Sequence, residues 1–338
     1  MAKVAINGFG RIGRLFFRQA FQTKGIDIVA INDLGDLENL AYLLKHDTVY
    51  GIYDKPVEIK AGKLVVDGRG VEVTQEKDPT KLPWKKLGVD IVVEATGVFS
   101  SYGKAKAHLD AGAKRVVITA PADDPDGADG ATVLVGVNDE KLKSLVMSSN
   151  ASCTTNSASP VIAILSENPG IEKAMLSTVH GYTATQSLVD GPVRGSDPRR
   201  GRAAAQNIVP SSTGAAVAVT RAIENLDGKF DGIAFRVPIV AGSIADITFI
   251  SKKKTSAKEV NDILRKATND KRWEGIFTVT EEPLVSSDII GQSYGAIADL
   301  SFTRVVDGNL VKVLSWYDNE WGYVSTLLRH VKGVADLL

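Results

Sequence analysis

The chain has 338 residues, 44% of them hydrophobic and 24% charged, with 40 basic residues against 40 acidic ones. This is the composition of a soluble globular protein of about two domains, and its zero net charge excludes a global field that would recruit nucleic acid or an anionic membrane. One cysteine excludes an intrachain disulfide, no apolar run approaches the ~20 residues that span a bilayer, and the start Met1-Ala2-Lys3-Val4 carries no leader pattern, so a cytoplasmic protein is expected.

Residues 3–7 are a short β-branched run, followed by Gly8-Phe9-Gly10-Arg11-Ile12-Gly13 and an apolar-patterned stretch over 14–21. Strand, glycine loop and helix together make the motif meaningful. Gly8, Gly10 and Gly13 permit a tight turn and bring backbone N–H groups to a pyrophosphate at the helix start. The second strand is expected over 27–32, ending in Asp33. A carboxylate about 20 positions past the motif hydrogen-bonds an adenosine ribose and repels a 2′-phosphate, which selects NAD over NADP.

A helix is expected over 37–45. Residues 57–60, 63–66 and 71–73 read as short hairpin strands around Gly62 and Asp67-Gly68, an insertion in the regular alternation. Residues 89–97 read as a buried parallel strand ending in a small-residue loop, with a cofactor lying beyond its carboxyl end. A helix over 104–111 and strands at 115–119, 133–135 and 145–148 complete the first half. The repeated strand–helix units predict a doubly wound parallel sheet. The acidic, glycine-rich run 123–130 reads as a solvated loop.

Ser148 to Asn156 surrounds the lone cysteine with small and hydroxyl residues, and an apolar run follows at 160–165. This is a helix start. A thiol there meets free N–H groups and the positive end of the helix dipole, both of which favour thiolate. The helix is expected to run to about residue 168, where Pro169-Gly170 stops it. A strand over 173–180 then leads back. A helix of ~14 residues rises ~21 Å and a strand of 7–8 residues covers about 25 Å, which returns His180 to the start of the helix, beside Cys153. Cysteine beside histidine is a thiolate-activating, proton-shuttling pair. The residues alone leave a structural histidine equally open.

Residues 181–201 lack periodicity, and the irregular stretch continues to 210. A loop this long is functional or lies at an interface. Arg199, Arg200 and Arg202 read either as anion ligands or as a solvated basic loop. Ser211-Ser212-Thr213-Gly214 opens a helix to about 224, whose hydroxyls and N–H groups make an anion site. The strand 232–238 carries Arg236 in an apolar run, which demands an anionic partner. Strands over 244–251, 294–302 and 310–317, with a further one at 276–280 and a helix over 258–269, predict a mostly antiparallel sheet in an α+β domain. An apolar helix over 324–338 ends the chain. No metal-ligand spacing occurs.

Together, Ile6 to Arg14, Ser152-Cys153-Thr154-Thr155-Asn156, His180 to Gln186, Ser211 to Ala216, Phe235-Arg236-Val237-Pro238 and Trp316 to Tyr323 resemble the phosphorylating glyceraldehyde-3-phosphate dehydrogenases over essentially the whole chain. The resemblance implies an NAD-binding Rossmann domain over 1–152, completed by 319–338, and a catalytic and tetramerisation domain over 153–318. It implies Cys153 as nucleophile and His180 as general base and acid. Gly8, Gly10, Arg11, Ile12, Gly13, Asp33, Lys77, Thr119 and Asn319 would hold NAD. Thr183 and Arg236 would take the substrate's phosphate; Ser152, Thr154, Thr213 and Gly214 would take inorganic phosphate. Arg200, with Arg199 as the alternative, would join one of these pockets. The 181–202 loop would lie at the core of a homotetramer.

The implied reaction converts glyceraldehyde 3-phosphate, NAD and inorganic phosphate to an acyl phosphate through a hemithioacetal and a thioester. The rival within enzymes is erythrose-4-phosphate dehydrogenase, which releases its acid by hydrolysis. From other classes, a nucleic-acid-binding role finds no support in the neutral charge, and a redox-sensor role for Cys153 is a further hypothesis. Two departures stand out. Ser157 replaces a frequent second cysteine, and Gly181 stands where alanine is common.

Overall fold

The computed structural model of the chain describes residues 1–193 and 197–338. It divides into two units, Met1–Ala151 with Val324–Leu338, and Ser152–Tyr323. Residues 319–323 therefore group with the second unit.

The first unit contains β1 (Ala2–Asn7), α1 (Arg11–Ala20), β2 (Ile26–Asn32), α2 (Leu37–Lys45), a ribbon of β3 (His46–Asp47) and β4 (Gly51–Ile52), then β5 (Val57–Lys60), β6 (Lys63–Val66) and β7 (Arg69–Thr74). It continues with α3 (Trp84–Leu87), β8 (Ile91–Glu94), α4 (Tyr102–Asp110), β9 (Arg115–Ile118), β10 (Ala131–Thr132) and β11 (Met147–Ser149). Nine strands form one sheet in the order β10-β11-β9-β8-β1-β2-β7-β6-β5. From β10 to β7 every pairing is parallel, and β7-β6-β5 is an antiparallel meander added at the edge. The expected hairpin strands are this meander. β1 has β2 on one side and β8 on the other, so strand order reverses at its carboxyl end. That is where a doubly wound sheet opens a crevice for a ligand.

The strand expected at 133–135 is not formed. The Asn138 side chain accepts from Leu134 N (2.8 Å) and donates to Thr132 O (3.0 Å), which bends the chain away after β10. Helix α1 starts at Arg11, three residues earlier than its apolar pattern suggests, because Gly10 serves as its N-cap.

The second unit opens with α5 (Cys153–Glu167) and β12 (Ile171–Gly181). It continues with β13 (Val209–Ser212), α6 (Ala215–Ala222), β14 (Phe230–Val237), β15 (Ser243–Ser251), α7 (Ala257–Ala267), β16 (Phe277–Thr280), β17 (Ala296–Val306) and β18 (Leu310–Tyr317). Its sheet runs β13-β14-β12-β15-β18-β17-β16. Only β12–β14 and β16–β17 pair in parallel; the other neighbours are antiparallel, as expected for the α+β unit. Strand β13 falls where sequence reasoning expects irregular chain and a helix start. Pro210 hides it in the sequence, yet an edge strand tolerates a residue with no N–H to give. Helix α5 is buried from Thr154 through Leu165, so it shows no amphipathic stripe and is a core element of its unit. Of the 181–202 loop, residues 194–196 lie outside the described residues.

Helix α8 (Trp321–Ala335) ends the chain. From residue 324 it belongs to the first unit, where His330 is fully buried. His330 Nε2 lies 2.7 Å from Ser148 Oγ, and its Nδ1 lies 3.1 Å from Asn150 Oδ1. The amide oxygen accepts, so Nδ1 carries the hydrogen and Nε2 accepts from the serine hydroxyl.

Burial pushes the His330 pKa down to about 4 from 6.5. The folded chain thus binds fewer protons here than the unfolded chain, so this contribution to stability is lost as pH falls from about 6.5 to about 4. Chemical denaturation at pH 7.5 and pH 5 tests this. Wild type should lose roughly 2 kcal/mol more stability over that interval than His330→Gln. Equal losses would show that His330 is not held neutral.

Candidate active site

Ser152 caps helix α5. Its Oγ accepts from Thr155 N at 3.1 Å, which places Cys153 in the first helical position. Strand β12 brings His180 to this helix start, with Nε2 at 3.3 Å from Cys153 Sγ. In the parallel register of β12 with β14, His180 is paired with Arg236. The Arg236 Nη1 lies 2.5 Å from His180 Nδ1 and 3.2 Å from the Gly181 carbonyl oxygen, which is itself 2.6 Å from Nδ1. Nδ1 faces both a carbonyl, which can only accept, and a guanidinium, which can only donate; in the tautomer with its hydrogen on Nδ1, bonded to the Gly181 carbonyl, Nε2 turns its lone pair to the thiol. Arg236 is then tied to the same carbonyl, with its charge pressed against the ring. A side chain at Gly181 would meet the Ile239 carbonyl at 2.9 Å, which accounts for glycine at that position.

Burial, then the Arg236 charge, push the His180 pKa down to about 3. At neutral pH the ring is a neutral acceptor. The Cys153 thiol is pushed up by burial, while Arg236, the Thr154 N–H and hydroxyl, and the Cys153 N–H pull it back down. The helix start thus acts in the expected direction, but burial outweighs it. The adjacent imidazole nitrogen, 3.3 Å away, is within reach of the thiol proton.

Sequence reasoning missed a second layer. Tyr317, at the end of β18, shares hydrogen bonds with Thr154 Oγ1 (2.8 Å) and Thr178 Oγ1 (2.7 Å), and meets the His180 ring edge to face. Its phenol is pushed up by burial and keeps its proton. The available signal was Thr178, two residues before His180 and hence on the same strand face. Ser157, the frequent cysteine position, is buried and bonded to Ser315 Oγ at 2.9 Å.

Arg200 donates to Ser211 Oγ (2.8 Å from Nη2) and Thr185 Oγ1 (3.4 Å), and Thr185 Oγ1 is 2.9 Å from Thr183 Oγ1. Arg199 is occupied by Asp197, and Arg202 by Asp190. Of the basic cluster, Arg200 is the one that joins the hydroxyl groups. Among the described residues neither Arg200 nor Arg236 meets a carboxylate at ion-pair distance. Thr213 Oγ1 accepts from Ala215 N at 3.2 Å, and Gly214 caps α6 with open space where a side chain would stand. Asn319 is buried in this unit, its Oδ1 accepting from Ser243 Oγ at 2.8 Å.

In the first unit a cavity of about 420 Å³ opens where strand order reverses, bounded by Gly8, Gly10, Asp33, Lys77 and Thr96 among others. Gly8 adopts φ +95°, and a side chain on it would run into Thr96 N at 2.6 Å; one on Gly13 would strike the Gly8 carbonyl at 2.1 Å. Gly10 caps α1 without a side chain and has open space around it, so the N–H groups of the helix start face no internal ligand from that cap. Each Asp33 carboxylate oxygen takes one backbone N–H, from Phe9 (2.7 Å) and Gly35 (2.8 Å), with lone pairs left for hydroxyl groups. These features fit a dinucleotide: an open helix start for the pyrophosphate and an acceptor for the ribose. The Arg11 guanidinium is paired with Asp47, so of Arg11 and Ile12 it is the backbone that stands at the open helix start. Thr119 follows β9 and donates its N–H to the Glu94 carbonyl (3.0 Å).

Residues 2–102 match the family described as glyceraldehyde 3-phosphate dehydrogenase, NAD binding domain, and residues 152–319 match its C-terminal domain. Three relatives carry the name glyceraldehyde-3-phosphate dehydrogenase. The Borreliella burgdorferi protein is 51% identical over 95% of this chain and 96% of its own length. That of Thermotoga maritima is 51% identical over 96% of each. That of Clostridium pasteurianum is 46% identical over 100% of this chain and 99% of its own.

If His180 Nε2 receives the thiol proton, His180→Asn should slow alkylation of Cys153 by iodoacetamide at pH 7 by roughly tenfold or more. Raising the pH should restore the rate, because hydroxide then takes the proton. A variant that reacts as fast as wild type at pH 7 would mean the imidazole has no part in activating the sulfur.

Proposed function

The chain belongs to the glyceraldehyde 3-phosphate dehydrogenase family, and from that premise we propose that it oxidises glyceraldehyde 3-phosphate with NAD and inorganic phosphate to 1,3-bisphosphoglycerate, through Cys153. The single observation that carries this reading is the thiol at the start of α5 with a neutral imidazole 3.3 Å away.

The residues take these roles. Cys153 Sγ attacks the aldehyde carbon, and its proton passes through His180 to the carbonyl oxygen, giving a hemithioacetal. The Cys153 N–H and the protonated His180 stabilise the oxyanion on the way. Bound NAD supplies the hydride acceptor. His180 Nε2 withdraws the hemithioacetal hydroxyl proton as the carbon is oxidised to a thioester. Inorganic phosphate then attacks the thioester carbonyl, the Cys153 thiolate leaves, and the acyl phosphate departs.

Arg236 and Thr183 take the substrate's phosphate, and that dianion also offsets the Arg236 charge that holds His180 down. Its arrival makes His180 a better base when there is substrate to act on. Ser152, Thr154, Thr213 and Gly214 take the inorganic phosphate, with Arg200 bridging through Ser211 and Thr185. NAD is held by the glycine turn, by Arg11 and Ile12 through their backbone, by Asp33 at the ribose, and by Lys77, Thr119 and Asn319. An acceptor phosphate site favours this reaction over the hydrolytic erythrose-4-phosphate dehydrogenase.

The working form is a homotetramer in the cytoplasm. Strands of the second sheet turn Met175, Val179, Ile233, Phe302 and Leu310 outward, an apolar face that a second copy would cover. A lone cysteine suits a reducing compartment. Among the described residues no helix is long and apolar enough to cross a membrane.

NAD reduction followed at 340 nm with glyceraldehyde 3-phosphate tests the reaction. Turnover should require phosphate or arsenate, and Cys153→Ser should lose at least about 10³-fold in kcat. A phosphate-indifferent rate would move the reading to the hydrolytic enzyme. Sedimentation should give a particle of four times 36.1 kDa; a monomer would leave the apolar face without its second copy.

A further inference from the structure

Four polar side chains lie under the dinucleotide cavity, all buried, and none is used by the mechanism above. Trp84 and His108 are 0% exposed, Asn7 1% and Glu94 2%. The indole Nε1 of Trp84 donates to His108 Nδ1 at 3.1 Å. An indole nitrogen can only donate, so Nδ1 carries no hydrogen. His108 is therefore the neutral Nε2–H tautomer, and it donates to Glu94 Oε2 at 2.9 Å. The same oxygen takes Asn7 Nδ2 at 2.6 Å. Glu94 Oε1 takes the Thr96 N–H at 2.8 Å and the Thr96 hydroxyl. All four contacts are donors, two to each oxygen of the Glu94 side chain. Thr96 Oγ1 in turn accepts from Val98 N at 3.0 Å.

The network does not stop at Asn7. The Asn7 Oδ1 accepts from Asn32 Nδ2 at 2.8 Å, and Asn32 Oδ1 accepts from Thr74 Oγ1 (2.8 Å) and Glu76 N (2.9 Å). One polar chain thus joins the carboxyl ends of β8, β1, β2 and β7. Its exposed outlet is the loop after β8, where Thr96 and Val98 border the cavity and where Thr96 N sits against Gly8.

We propose that Trp84, His108 and Glu94 form a positioning network for the dinucleotide: through Glu94 they hold the Thr96 loop against the glycine turn, and so set NAD affinity from residues that do not touch the cofactor. The inference rests on the reading of this cavity as the NAD site. A buried polar chain of this kind tolerates no half-measures. Removing one donor leaves a buried carboxylate oxygen short, and the exposed Thr96 loop is the member free to move to compensate. An apolar substitute for the whole cluster would fill the same volume, but it would leave the loop untethered.

Two substitutions at His108 separate the two ends of the chain. In His108→Gln the side-chain amide nitrogen takes the place of Nε2 and still donates to Glu94, while Trp84 loses its acceptor. In His108→Asn the amide oxygen takes the place of Nδ1, so Trp84 is satisfied and Glu94 loses the His108 donor among its four. NAD affinity is measured by calorimetry on the full chain, with thermal midpoints recorded without NAD. His108→Asn should weaken NAD binding by about tenfold and His108→Gln by less than about threefold, although both lower the midpoint. Equal effects on affinity, or unchanged affinity in both, would reduce the cluster to packing and overturn the proposal. If neither variant folds, Thr96→Val serves: it removes the hydroxyl's bond to Glu94 and the one it accepts from Val98 N, keeps the Thr96 N–H bond to Glu94, and should weaken NAD about three- to tenfold, whereas unchanged affinity overturns the proposal. Failure of the wild-type chain to bind NAD would instead remove the cofactor reading, and this inference with it.

Discussion

The contact between Cys153 Sγ and His180 Nε2 depends on two consecutive elements having matched lengths. Helix α5 carries the chain ~22 Å away from the cysteine over its 15 residues. Strand β12 then needs nine residue steps, ~30 Å, to bring position 180 back to the helix start. The other site residues of the second unit are arranged around that return path. The parallel neighbour β14 puts Arg236 beside His180, and the antiparallel neighbour β15 contributes Ser243, which holds Asn319. β18, next to β15, ends in Tyr317 and its two threonine contacts. A one-residue slip of β12 would turn His180 to the other face of the sheet and empty the site.

The two units handle charge in opposite ways, Glu94 being buried and Arg236 half-buried. Glu94 is surrounded by four donors and has no further need of a partner. Arg236 has a carbonyl and a neutral ring, and among the described residues no carboxylate. A satisfied charge stiffens its surroundings; an unsatisfied one waits for a ligand. The first kind lies behind the cofactor cavity and the second faces the thiol. On the proposed function the division has a use: the cavity gains a fixed wall, and the thiol gains a cation whose field a bound phosphate would cancel.

Much of this was legible in the residues. The glycine turn, Asp33 and the alternation of strands and helices gave the parallel sheet. The hydroxyl-rich start of α5 marked the helix cap, and simple rise arithmetic brought His180 to Cys153. What escaped had physical reasons. β13 contains Pro210, which argues against a strand unless the strand is known to be an edge. The bend after Thr132 is made by an Asn138 side chain, and no periodicity carries that information. Tyr317 and Thr178 become site residues only because β12 and β18 flank β15 in one sheet, a pairing that sequence spacing does not contain. Glu94 and His108 read as parts of an ordinary strand and helix, since their partnership spans two elements and is closed by Trp84 from a third.

The bond between His330 and Ser148 spans 182 residues of sequence. During synthesis the sheet of the first unit leaves the ribosome well before the helix that carries His330. The whole of Ser152–Tyr323 is made in between. The first unit is therefore completed only after the second has been made. Until that helix is made, the pocket behind Ser148 and Asn150 lacks its imidazole, and the nucleotide fold lacks the partner of both side chains.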